Sequence, residues 1–498
     1  MKPTINFFLI LLMFLPFQIP VFAQNSANRI EVFPRIEPDP VALGFHKPGN
    51  YNYSWIELAE ISLWASGDAT ASCLEQIHKI AEAIKASSRL LTTSKEKAEF
   101  ILDYMHKNLL KSYSANQTRV DVLLSNGRFN CVSSSVLYLI LCKSVGLNVV
   151  GVTTKDHAFV SVYIDGKNID VETTNPYGFN PGDHKEFHDQ FGRLTGFAYV
   201  PPQNYRDRHA ITPIELISII LRNRISELEA GNRFVEAVPL AVDRAALLNG
   251  DIIADKSAYS GASFFDSPYQ SLLNRLFNYG IFLLKSGREE DCLRWAALVS
   301  PKYPEESRWQ EFIFAAVNNR ITKFLKASQV AEARNFLNSQ KHVLSSANYT
   351  QFDNMLIDAE LVNNANRISN ITDGNNVVAA IAEARTNHKI NDKRANELLT
   401  FAVRKTASIL SGSPEQDWLA AINYVENAIA RFGSNPELEQ TLRLYRNNRA
   451  TYFHNRFAAA WNKKNFVEAE RIINEGLAEF PNDRQLLKDR GTVNKHRQ

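Results

Sequence analysis

The spacing of apolar residues changes character at Pro213, and that change constrains the fold more than anything else in the chain. From Pro213 to Gln498 the apolar spacing is helical, with no convincing run of apolar–polar alternation. Similar units recur there with a loose period of about 34 residues. The clearest is FNYGIFLLKSGREEDCLRWAALVSPKYPEE: Gly280 stands where a first helix must pack closely, Cys292 and Ala296 lie on a second helix, and Pro304 ends the unit. FAAAWNKKNFVEAERIINEGLAEFPND repeats the scheme with Ala469, Gly476 and Pro481, and weaker copies centre on Ala237, Ala333 and Ala421. Short side chains at these positions let two helices cross closely. A stack of such pairs buries one continuous core and leaves a concave face.

Before Pro213 the pattern is mixed, and at 498 residues the chain is too long for one core. Residues 24–54, rich in Pro, Asn and Gly, read as an extended lead-in. Three helical patterns follow from Trp55 to about Leu110, the third with Ala98, Ile101, Leu102, Met105 and Leu109 on one face. A polar stretch from Lys111 to Asn130 leads to a buried-looking helix from Cys131 to about Val145. Val149–Thr153, His157–Ile164 and Lys167–Thr173 then read as strands, the last two joined by an Asp165-Gly166 turn. Prolines 176, 181, 201 and 202 mark loops up to Thr212. The expected organisation is an α+β domain over 55–212 and an all-α repeat domain over 213–498.

The start of the chain has its own logic. Met1-Lys2, the apolar run Ile5–Phe17 and Val21-Phe22-Ala23 make residues 1–23 a secretory signal peptide, which implies a periplasmic or secreted protein. Pro16, Gln18 and Pro20 interrupt the run before the roughly 20 residues a membrane span needs, and no later stretch is long and apolar enough. Net charge is +3, with 56 basic against 53 acidic residues, so nothing calls for a nucleic-acid partner. Four cysteines are too few for a disulfide scaffold. Cys131 and Cys142 should not pair, because eleven residues of one helix separate them by about 16 Å. No cofactor is expected and no metal. His184 and His188 have an i, i+4 spacing, but Lys185 stands where the zinc-protease motif needs Glu.

The chemistry concentrates in Asn130-Cys131-Val132-Ser133, Asp156-His157-Ala158-Phe159-Val160 and Asp170-Val171-Glu172-Thr173-Thr174. Cys131 opens a helix, where unpaired N–H groups and the dipole favour a thiolate. His157 opens a strand in which Val160, Val162 and Ile164 face one way and His157, Phe159, Ser161 and Tyr163 the other. A two-residue turn at Asp165-Gly166 pairs Ile164 with Lys167. Counting back sets Phe159 opposite Glu172 and His157 opposite Thr174. Glu172 then lies diagonal to His157, roughly 7 Å between Cβ atoms, within reach of a long side chain. Asp170 sits about 13 Å along the strand. Glu172, rather than Asp170, should therefore orient the imidazole. A thiol, an imidazole that takes its proton and a carboxylate that steadies the imidazole are the parts of a sulfur nucleophile for acyl carbon. The Cys131 N–H is one expected oxyanion donor, and the loop containing Asn126 is where a second should lie.

The segments KAEFILDYMHKNLL, GRFNCVSSSVLYLILCKSVGLNVVGV and DHAFVSVYIDGKNIDVETTNP resemble the bacterial transglutaminase-like superfamily over roughly residues 90–180. The resemblance implies a papain-like cysteine fold with Cys131 as nucleophile, His157 as base and Glu172 as the acid. Glu replaces the commoner Asp, and Asn168 stands near where many members carry Trp. The helical half is similar to tetratricopeptide-type repeats, and ITPIELISIILRNRISELEAGNRFVEA looks like the join. Together these imply a cysteine peptidase or acyl transferase acting on a peptide or protein substrate, with a protein partner held by the repeats. The alternative is a catalytically inactive binding or scaffold module of the cell envelope. The stretch GFAYVPPQNYRD reads as a loop joining the domains.

Overall fold

The computed structural model describes residues 33–49, 52–154, 157–183, 187, 192–193, 208–250, 267–304, 306, 308–412 and 417–497. The signal segment, Asp156, His184, His188 and the GFAYVPPQNYRD stretch lie outside the described residues. The chain is mostly helical with small sheets, and it divides into two compact units at Arg275/Leu276.

In the first unit, α1 (Pro40–Phe45) follows a lead-in anchored by two Arg35–Asp243 hydrogen bonds of 3.0 and 2.7 Å. Helices α2 (Trp55–Ser66), α3 (Ala71–Ser88) and α4 (Ser94–Asn108) come next. Ser54 with Glu57 and Thr93 with Glu96 close capping boxes at α2 and α4, satisfying N–H groups that the first turn leaves unpaired. The polar stretch before Cys131 is not featureless. It holds β1 (Ser112–Tyr113), α5 (Val120–Asn126) and β2 (Arg128–Phe129), with β1 and β2 parallel. Helix α6 (Cys131–Ser144) is buried at every position from Val132 to Cys142, as expected of a helix apolar all round. It packs against α2, α4 and α5 and against a four-stranded antiparallel sheet.

That sheet runs β5 (Lys167–Val171), β4 (Ala158–Ile164), β3 (Asn148–Thr153), β6 (His209–Ile211). Ile164 pairs with Lys167 across a turn in which Asp165 (φ 49°) and Gly166 (φ 81°) both adopt the left-handed conformation that a two-residue hairpin requires. Val160, Val162, Ile164 and Val171 join the core, while Tyr163 faces solvent.

Helices α7 (Pro213–Ala230) and α8 (Phe234–Asn249) follow. The expected boundary at residues 212/213 is corrected here. Ile214, Leu216, Ile217, Ile219, Ile220 and Leu221 of α7 belong to the same core as α6 and the sheet, because α7 is apolar on too many sides to serve as a linker. Ala237, read as the centre of a repeat copy, lies on α8 in this first unit.

The boundary between the units falls within α9 (Pro268–Lys285). Beyond it come α10 (Glu289–Val299), α11 (Arg308–Lys326), α12 (Val330–Ser339), α13 (Ser346–Asn366) and α14 (Ile371–Thr386). They are followed by α15 (Asp392–Ser411), α16 (Trp418–Phe432), α17 (Pro436–Asn462), α18 (Phe466–Glu479) and α19 (Arg484–Arg497). No strand is present here among the described residues. The small residues singled out in the sequence sit at crossings: Ala333, Ala421, Ala469, Cys292 and Ala296 are fully buried. A Cβ on Gly280 would lie 2.1 Å from the Phe312 ring. The expected period of about 34 residues is not the observed one. The shorter helices of successive pairs start at Glu289, Val330, Ile371, Trp418 and Phe466, steps of 41, 41, 47 and 48 residues. The first helices are long, up to 27 residues in α17, which stretches each step.

Candidate active site

The start of α6 is fixed by its own residues. Asn130 Oδ1 accepts the N–H groups of Val132 and Ser133, both at 3.0 Å, and Ser133 Oγ accepts the Asn130 N–H at 3.0 Å. Asn130 Nδ2 donates to the Ala115 carbonyl and Ser133 Oγ to that of Gln117, which moors the helix start to the preceding loop. This cap uses the N–H groups of Val132 and Ser133 but not that of Cys131. The thiol at the first helical position is half-buried, whereas Cys142 on the same helix is fully buried and its pKa is pushed up by that burial.

His157 sits just ahead of β4, its carbonyl accepting the Thr154 N–H at 2.9 Å. The β4–β5 ladder ends at Val160–Val171, so the pairings expected of Phe159 and His157 further along do not form. Instead the chain turns after Val171, with the Glu172 N–H donating to the Gly178 carbonyl at 2.8 Å. Gly178 is obligatory in this turn, since a Cβ there would lie 1.9 Å from the Glu172 carbonyl oxygen. Even without ladder pairing, the side chains meet: His157 Nε2 and Glu172 Oε2 are 2.6 Å apart. The Cys131 side chain lies close enough to the same imidazole to help raise its pKa. With Nε2 given to Glu172, Nδ1 is the ring nitrogen for the sulfur.

Both oxygens of the Glu172 carboxylate are engaged, Oε2 by His157 and Oε1 by Thr174 Oγ1 at 2.9 Å, in a residue only 1% exposed. Burial alone would drive the imidazole toward its neutral form. The Glu172 charge, the nearby Cys131 side chain and the hydrogen bond to Glu172 outweigh it, and the pKa of His157 is raised well above the usual histidine range.

Several supporting residues escaped the sequence reading. Thr173 Oγ1 lies 2.8 Å from Ser134 Oγ and 3.0 Å from Ser135 Oγ, all of them buried, joining the acid-bearing turn to α6. His106 donates from Nε2 to the Thr173 carbonyl at 3.1 Å. Its burial lowers its pKa to about 4, so the ring is a neutral donor at pH 7. The signal for this network was present in the sequence: three consecutive serines inside an otherwise apolar helix, and two threonines after the acid. Asp170 is held by Arg208 through bonds of 2.6 and 2.5 Å, away from His157. Asn126, near the expected second oxyanion donor, is exposed and its side chain accepts the Arg128 N–H at 3.0 Å, so it serves a local turn instead. Among the described residues no cluster of His, Cys, Asp and Glu is arranged to hold a metal ion, and no helix is long and apolar enough to cross a membrane.

No family model matches the chain, nor does any curated protein or solved structure.

Proposed function

We propose that this is an exported cysteine acyl transferase or amide hydrolase with a papain-like, transglutaminase-like domain, acting on peptide or protein substrates. The observation that carries the reading is the placement of the imidazole: His157 bonds Glu172 through Nε2 and has the Cys131 side chain, at the tip of α6, as an electrostatic neighbour. Cys131 gives its proton to His157 and attacks an acyl carbon. The resulting thioester is released by water or by an amine, with His157 returning the proton. Glu172 keeps the imidazolium in place and compensates its charge. The tetratricopeptide-like repeats of the second unit hold a protein partner. In support, a groove of about 930 Å³ between α15 and α17 carries Lys393, Arg404 and the exposed Phe401 and Leu444.

That groove also favours a second reading, in which the triad is idle and the chain is a binding module of the cell envelope. Thiol labelling separates the two. Cys131 is expected to react with iodoacetamide near pH 7 on the order of 100-fold faster than Cys142 or Cys292, and His157→Ala to remove the difference. Slow, equal labelling of all three would leave only the binding module.

A further inference from the structure

Tyr113 is the residue beside the thiol for which the triad has no task. β1 and β2 pair in parallel with Tyr113 opposite Phe129, two residues ahead of Cys131. The Ser114 N–H donates to the Phe129 carbonyl at 2.8 Å, and the Tyr113 and Phe129 rings meet edge-on with centroids 5.9 Å apart. The strand pairing and the ring contact thus hold the phenol next to the start of α6. The side chain is half-buried, and burial followed by the negative charges of Cys131 and Glu172 raises its pKa. The phenol therefore remains a donor throughout the neutral range. Among the described residues, no protein group hydrogen-bonds to its hydroxyl.

Resting on the reading of Cys131 as a nucleophile, we propose that Tyr113 donates the second hydrogen bond to the oxyanion formed when Cys131 attacks a carbonyl, alongside the Cys131 backbone N–H. In that step the Cys131 sulfur, whose proton is already held at His157 Nδ1, attacks; the sulfur–carbon bond forms, and the carbonyl π pair moves onto oxygen. The oxyanion accepts hydrogen bonds from Tyr113 Oη–H and Cys131 N–H. Its collapse restores the carbonyl and breaks the bond to the leaving group, which departs with the proton from His157. Tyr113 keeps its own proton throughout, and so needs a hydroxyl that is neither ionised nor committed to another partner.

Tyr113→Phe in the full chain removes one oxygen and keeps the ring against Phe129. Two reactions at Cys131 then divide the possibilities, both followed by mass spectrometry of the Cys131 peptide. Acylation by p-nitrophenyl acetate passes through an oxyanion; alkylation by iodoacetamide does not. Acylation is expected to slow on the order of 100-fold, with the alkylation rate, its pH dependence and Tm unchanged. If acylation is unchanged in the variant, Tyr113 is not the donor and the nucleophile reading stands. Equal losses in both reactions would show that Tyr113 acts on the thiol itself, which also overturns the proposal. If wild-type Cys131 reacts no faster than Cys142 with either reagent, the nucleophile reading falls and takes the proposal with it.

Discussion

Around α6 the first unit buries Ser133, Ser134, Ser135, Glu172, Thr173, Thr174 and Asn175, all almost inaccessible to water. The helix pairs of the second unit bury mostly alanines, leucines and aromatic rings. Most charges there stay partly exposed, as in Arg394 with Asp358 or Lys389 with Asp353, with Glu289 and Asp489 the buried exceptions among the described residues. A buried polar group destabilises the fold unless its hydrogen bonds are met, whereas an apolar contact tolerates small shifts. The first unit therefore holds one arrangement of side chains rigidly, and the second holds a surface. A site that must keep an imidazole 2.6 Å from a carboxylate needs the first kind of interior.

Acid should separate the two interiors most strongly. His106 has a folded pKa of about 4, below its ordinary 6.5. The unfolded chain therefore binds more protons between those values, and stability falls as pH drops from 6.5 toward 4. The loss is about 3 kcal/mol by pH 4. His157 works in the opposite sense: its raised folded pKa contributes stability that is complete below 6.5 and fades as pH rises through the folded value. In the second unit, Asp353 and Asp373 have lowered pKa values, so their contributions persist until pH falls through the ordinary carboxylate range. Hydrogen exchange at pH 4.5 is expected to show α4 and α6 opening before α12–α16. His106→Gln keeps a donor without a titrating ring and should remove that order. Simultaneous opening of both units in the wild type would break the contrast.

Glu172→Gln sharpens the comparison within the site. Removing the charge lets burial win over His157, lowering its pKa and weakening the imidazolium beside the Cys131 sulfur. Alkylation of Cys131 at pH 7 should fall about tenfold to a hundredfold. The same measurement on Cys292, buried in the second unit with its pKa pushed up, should not change. An unaltered pH–rate profile for Cys131 would mean that Glu172 does not support the imidazole.

The sequence was legible where a local rule had only one solution. Asp165-Gly166 dictated the hairpin, and the hairpin dictated the register as far as Val160–Val171; Glu172 then meets His157 from the turn that follows and not through the expected pairing. Gly280 announced a helix crossing where no side chain fits, and Ala469 a fully buried small position. What stayed hidden depended on contacts distant in sequence. The apolar surface of α7 looks the same whether it faces another repeat or the sheet of the first unit. Tyr113 and Phe129 are brought together by two-residue strands too short to leave an alternating pattern. His106 is followed in sequence by Lys107 and Asn108 at the polar end of α4, and only the fold aims it at Thr173. The copy at α14 was missed because its small crossing residue, Gly374, is paired with Thr406 of α15 and not with an apolar side chain.

The smallest expected effect tests the contrast with one substitution made twice. Thr174 Oγ1 donates to Glu172 Oε1 at 2.9 Å inside the first unit. Thr174→Val would leave that buried carboxylate oxygen without its donor, for a loss of about 1–3 kcal/mol. Thr406 is equally buried in the second unit, but its Oγ1 donates back to the Ala402 carbonyl at 2.8 Å. That carbonyl keeps its place in the helix ladder when the hydroxyl is gone, and Tyr424, another neighbour of Thr406, retains its bond to Asn375 at 3.1 Å. Thr406→Val should therefore change stability by less than about 1 kcal/mol. Urea melts followed separately in each unit by hydrogen exchange would measure both. Equal losses would mean that the first unit's buried hydroxyls are filler, free to vary as those of the helix pairs are, and that His157 and Glu172 are held by packing alone.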